Sequence, residues 1–66
     1  MNDPVKVYSK NSNIIIETNK EIQVFIFSIE GKLITKLKVK NTQTVPLDKG
    51  IYIVNVDNYS SKVKVE

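Results

Sequence analysis

The chain has no cysteine, histidine, tryptophan or arginine; its ten basic residues are all lysine, and it has only two glycines and two prolines. Without cysteine, neither a disulfide nor a thiolate metal site can brace the fold. Without histidine, the usual general base and the commonest metal ligand are missing. Without arginine, so is the planar, bidentate fork on which nucleic-acid readers lean. No apolar run exceeds four residues (51–54), far too few to cross a bilayer as a helix. Met1-Asn2-Asp3-Pro4 lacks the basic and apolar regions of a signal peptide. If the protein is exported, its export signal is expected upstream.

What remains is 66 residues and 7.5 kDa, enough for one small domain or the terminal piece of a longer chain. Ordering such a chain costs about 100 kcal/mol, which roughly 4,000 Å² of apolar burial offsets. A globule of this mass hides about that much, so the two sides nearly cancel. Nothing is left to support a deep, polar, water-excluded active site, and the domain is expected not to be an enzyme. A hydrophobic share of 41% and a charged share of 26% are those of a folded domain rather than a disordered one. The net charge of +3 is a mild lysine excess, typical of a solubilising surface. Residues 1–4 read as the end of a linker or as residues added for expression, and residues 5–66 as one domain.

Turn chemistry falls every 7 to 11 residues: Asn11-Ser12, Asn19-Lys20, Glu30-Gly31, Asn41-Thr42, Asp48-Lys49-Gly50 and Asp57-Asn58. Between these points lie short β-branched and aromatic runs, the pattern of a sandwich or barrel. Strands are expected over residues 5–8, 13–18, 21–28, 33–40, 42–47, 50–56 and 59–65. No apolar stripe has helical spacing. The chain is therefore all-β with seven strands.

Alternation assigns the faces. Leu33, Leu37 and Val39 are expected on one face of their strand, with Lys36, Lys38 and Lys40 on the other. Val63 and Val65 oppose Lys62 and Lys64, and Val5 and Val7 oppose Lys6 and Tyr8. Residues 21–28 are apolar on both faces, Ile22, Val24 and Ile26 against Phe25 and Phe27. Residues 50–56 behave likewise, Ile51 and Ile53 against Tyr52, Val54 and Val56. Such strands are central, either covered twice or exposing a binding patch. Pro46 donates no backbone hydrogen bond and marks an edge or an end. The lysine-bearing strand at 33–40 reads as another edge, guarded against aggregation.

No catalytic or metal constellation is visible. Ser9, Ser12, Ser28, Ser60 and Ser61 lie mostly in turns with only lysine as a base, and Ser61-Lys62 point to opposite faces. Glu30, Asp48 and Asp57 read as turn formers, and no calcium-loop spacing occurs. Lys36, Lys38 and Lys40 form the best polyanion candidate, but they suit a solvated edge better: no aromatic RNA-binding motif is present, and the aromatics are not expected to share a face with the lysines. Asn58-Tyr59-Ser60 matches a glycosylation acceptor and reads as a chance match in a turn. No cofactor is called for.

The most specific signal is an ordered pair of segments. The first runs Val24-Phe25-Ile26-Phe27-Ser28-Ile29-Glu30-Gly31-Lys32-Leu33; the second is Gly50-Ile51-Tyr52-Ile53-Val54-Asn55-Val56. Gly31 suits a left-handed turn position, as in a bulged hairpin. The chain closes on Lys62-Val63-Lys64-Val65. Together these resemble the type A C-terminal sorting domain of the type IX (Por) secretion system of Bacteroidetes. That family shows V-x-V-Y-D-x-x-G-K, then G-x-Y-x-V-x-V, then a lysine-rich closing strand. Val24, Ile26, Phe27, Gly31 and Lys32 match the first element, with Phe27 for tyrosine and Ser28 for aspartate. Gly50, Tyr52, Val54 and Val56 match the second, and Lys62 and Lys64 the third.

The resemblance implies a compact, antiparallel, immunoglobulin-like β-sandwich at the carboxyl end of an exported protein. It would act as an address read by secretion machinery at the outer membrane, with the cargo domain upstream. The implied recognition surface is Gly31, Lys32, Lys62 and Lys64, and Tyr52 and Val54 support it from the core. The protein would reach the cell surface or the medium through the periplasm. Alternative readings are an accessory or adhesive sandwich at the end of a surface protein, or a free-standing barrel that binds nucleic acid.

Overall fold

A computed structural model describes residues 5–56 and 59–66. It contains β1 (Lys6–Lys10), β2 (Asn13–Glu17), β3 (Ile22–Ser28), β4 (Leu33–Val39), β5 (Thr42–Pro46), β6 (Gly50–Val56) and β7 (Tyr59–Val65). The described residues include no helix. One sheet has the order β1-β2-β5 and the other β4-β3-β6-β7, all pairs antiparallel. This is an immunoglobulin-like Greek key in which the fourth strand has joined the larger sheet. The seven expected strands all form, and β4 and β5 are edges, as their lysines and Pro46 required. The turn at Asp57-Asn58, the acceptor Asn58 and residues 1–4 lie outside the described residues.

One apolar cluster joins the two sheets. β2 contributes Ile14 and Ile16, β3 contributes Ile22, Val24 and Ile26, and β4 contributes Val39; Tyr52, Val54 and Val56 come from β6, Val63 and Val65 from β7. Most are β-branched, which suits them to a pleated, half-buried surface with few rotamers to lose. Val5, Val7, Leu37, Val45 and Leu47 seal the margins.

The connections satisfy their polar groups within their own turns and with neighbouring loops, as buried backbone must. Asn11 and Ser12 have φ of 52° and 66°, the two positive values that a tight hairpin needs to match strand twist. β1 consequently runs two residues past the expected end at Tyr8, pairing Lys10 with Asn13. Where the chain passes between sheets, the Thr18 amide donates to the Asn41 carbonyl at 2.8 Å. The Thr18 hydroxyl accepts from the Lys20 amide at 3.2 Å and donates to the Lys20 carbonyl at 2.9 Å. The Leu47 amide donates to the Ser12 carbonyl at 3.1 Å, tying the β5–β6 loop to the first hairpin.

The face of Leu33 and the end of β4 are corrected. The β3–β4 register shifts between Ile26 and Phe27, so Leu33 pairs with outward-facing Phe27 while Leu37 and Val39 pair with inward-facing Val24 and Ile22. The extra residue of a bulge flips the alternation beyond it. Leu33 is accordingly 49% exposed, not a core residue. Lys40 lies beyond the end of β4, leaving Lys36 and Lys38 as the strand's lysines.

Gly31 closes the β3–β4 hairpin with φ of +93°. Its amide donates to the Ser28 carbonyl at 2.9 Å, and the Ser28 amide donates to the Lys32 carbonyl at 2.8 Å. A Cβ at Gly31 would meet nothing within 4 Å, so a substitution there is opposed by backbone strain alone. Gly31→Val is expected to destabilise the fold by about 1–3 kcal/mol, read from chemical denaturation. An unchanged unfolding midpoint would contradict the assignment.

Candidate functional site

The two sequence motifs divide between core and surface. Gly50, Tyr52, Val54 and Val56 alternate inward on β6, and Val54 and Val56 are fully buried. The Tyr52 hydroxyl donates to the Asp48 carbonyl at 2.7 Å, and the hydroxyl and ring edge lie 3.6–3.7 Å from where a Cβ on Gly50 would stand. The glycine and tyrosine two residues apart thus form a corner: the phenol reaches back to hold the turn that launches its own strand. Val24 and Ile26 are also fully buried, whereas Phe27 faces outward and is half-buried.

The remaining motif residues are exposed. Gly31 and Lys32 stand in the turn after Ser28, where the Ser28 hydroxyl accepts the Lys32 amide at 3.2 Å. Ser28 pairs with Tyr52, and Tyr52 with Val63. The turn therefore leaves the sheet at the same end as Lys64, which pairs with Ile51. Lys62 pairs with Ile53, and Ile53 with Phe27, so Lys62 lies on the outer face two strands from the ring. Lys64 approaches Glu66 at 3.6 Å, an exposed pair of small energetic weight.

The closing strand is tethered across the sandwich. Ser9 donates its hydroxyl to the Lys64 carbonyl at 2.6 Å, and Ser12 donates to the Glu66 carbonyl at 2.9 Å. These bonds occupy one backbone acceptor of β7, an edge strand, and one of the residue just past its end, and so hold the strand that bears Lys62 and Lys64. Both hydroxyls are committed to backbone carbonyls. An open groove lined by Ser12, Asn13, Pro46, Leu47 and Asp48 lies beside the β1–β2 hairpin and has one carboxylate. Among the described residues no cluster of three or more acidic, histidine or cysteine side chains could hold a metal.

The lysines and aromatics, expected on separate faces, share one. Phe25 pairs with Lys36 and Gln23 with Lys38, so these lysines share the outer face with Phe25 and Phe27. The two rings stack, with centroids 6.5 Å apart and planes at 22°. Alternation sorts the faces within each strand but does not say which strands pair, a long-range fact.

On the outer face of the other sheet, Tyr8 donates to Glu17 Oε2 at 2.7 Å. That hydrogen bond, helped by slight desolvation and by the carboxylate charge, raises the Tyr8 phenol above its usual value.

The fold and its motif residues define a small all-β domain of seven antiparallel strands, its motif positions split between a buried core and an exposed cationic end. The model of the secretion system C-terminal sorting domain family matches residues 9–66, and the chain belongs to that family. It is a C-terminal sorting signal for type IX secretion, and a protein carrying it is exported across the outer membrane to the cell surface or extracellular space. No curated protein and no solved structure gives a significant match. No helix among the described residues is long and apolar enough to cross a membrane.

The Tyr8 bond generates a pH prediction. A phenol whose pKa is raised on folding contributes stability below the unfolded value of about 10 and loses it as pH rises through the folded value. Glu17→Gln should return Tyr8 towards the ordinary value and remove that alkaline dependence, followed by the NMR shift of the Tyr8 ring. An identical titration in both proteins would show that Glu17 does not hold the phenol.

Proposed function

We propose that residues 5–66 are a non-catalytic address, read in the folded state by outer-membrane secretion machinery, while the cargo's own activity resides upstream in the same protein. The observation that carries this reading is the division of the motifs. Val24, Ile26, Tyr52, Val54 and Val56 build the core, and Gly31, Lys32, Lys62 and Lys64 are presented at one end and one edge of the larger sheet. A recognition element needs a shaped, exposed surface and no activated nucleophile. The serine hydroxyls bonded to backbone carbonyls fit that role better than catalysis. The lysines serve protein recognition in this reading, and nucleic acid is not a partner.

Fusing residues 1–66 to the carboxyl end of a reporter with an ordinary signal peptide, in a host with type IX secretion, tests the reading. The reporter should reach the surface or medium. Removing residues 59–66 deletes Val63 and Val65 from the core along with Lys62 and Lys64, and should trap the reporter in the periplasm. Lys62→Ala with Lys64→Ala, which leaves the core intact, should reduce export while the domain still melts cooperatively. Periplasmic retention of the full fusion, with the domain folded and native cargo exported, would contradict the proposal.

A further inference from the structure

The two outer faces of the sandwich differ in character. On the smaller sheet, Tyr8, Ile15 and Thr44 form one cross-strand row, and Lys6, Glu17 and Thr42 the next, a mixed polar surface. On the larger sheet, Leu33, Phe27, Ile53 and Lys62 form one row, beside Lys36, Phe25 and Asn55. The bulge adds Ile34, 43% exposed, next to Leu33, and Ile51 beside Lys64 is 41% exposed. The result is an apolar strip down the middle of the sheet. Lys36 and Lys38 rim it on edge strand β4, and Lys62 and Lys64 rim it on edge strand β7. The four strands contain no aspartate or glutamate at all.

We propose that this outer face, centred on Phe25, Phe27 and Ile53, is the surface on which the secretion machinery docks, and that its occupant is a protein surface with an apolar centre and carboxylates along two opposite rims. The proposal rests on the sorting role given above and extends the contact to β3 and β4, which lie beyond the cationic motif residues. Charge complementarity selects the occupant. A second copy of this chain would set lysine rims against lysine rims, an unfavourable like-charge contact. A lipid surface requires apolar groups that reach about 5–10 Å into the headgroup boundary. Here the rings lie half-buried against a sheet, and Leu33, Ile34 and Ile51 sit within strands rather than on protruding loops. Burial of an apolar centre inside a rim of paired charges is the anatomy of a protein interface.

The test uses the reporter fusion with two outer-face variants. The first is Lys36→Glu with Lys38→Glu, and the second is Leu33→Thr with Ile34→Thr, both at exposed positions where the fold has little to lose. Lys6→Glu with Lys10→Glu on the smaller sheet is the control. Each outer-face variant should lower exported reporter by about tenfold or more with an unchanged melting midpoint, as expected for loss of one complementary contact region, and the control should export normally. If one variant melts early, the other decides. Normal export of both folded variants alongside normal export of the parent would overturn this surface and leave the sorting role standing. Failure of the parent fusion itself would overturn both. Binding of the parent to phosphatidylglycerol vesicles that the variants abolish would assign the face to lipid instead, and a dimer lost in the variants would assign it to self-association; either result overturns the proposal.

Discussion

Everything in this domain depends on one contact, the packing of the β2 isoleucines against the inner face of the four-stranded sheet. Ile14 and Ile16 are both fully buried, and they belong to the same apolar cluster as Val24, Ile26, Val54, Val56 and Val65. With no cysteine and no metal cluster among the described residues, no cross-link compensates for a core residue that fails. The margin of a chain this small is a few kcal/mol, so the inward positions have little freedom to serve anything but packing.

That constraint assigns function to what remains. Inward positions are held by packing and turns by local geometry, and in the proposed reading the outward-facing side chains carry recognition. The closing strand shows the compromise most clearly. Val63 and Val65 help complete the core while Lys62 and Lys64, alternating with them, face solvent. Ser9 and Ser12 then fix the strand's backbone from across the sandwich, so the lysines are displayed from a rigid support. The same logic explains how a sorting signal can be both a folded domain and a short motif. The motif is the part of the β-core and its turns from which the exposed groups are hung.

Much of this was legible in the residues. Seven strands, the edge positions of β4 and β5, the two-sided character of β3 and β6, and the left-handed turn at Gly31 all follow from local chemistry. So does the family, because its motifs are local too. Two kinds of cause account for the differences, strand pairing between distant residues and the geometry of one tight turn. Leu33 was expected inside because alternation was carried unbroken along β4, yet a bulge opposite Ile26 and Phe27 reverses it. Phe25 and Lys36 were kept apart because their pairing depends on strand register, which is set by contacts between distant residues. β1 outran its expected end because Asn11 and Ser12 tolerate positive φ and make a two-residue turn rather than a longer loop.

The central claim is that both sheets fold as one unit around one core. Native-state hydrogen exchange of the backbone amides tests it most directly. The most protected amides of β2, in the smaller sheet, and of β3 and β6, in the larger, should share a single opening free energy equal to that of global unfolding. The protected amides of β2 exchanging at a distinctly lower free energy, while those of β3 and β6 stay protected, would show that the sheets are separable and contradict the account.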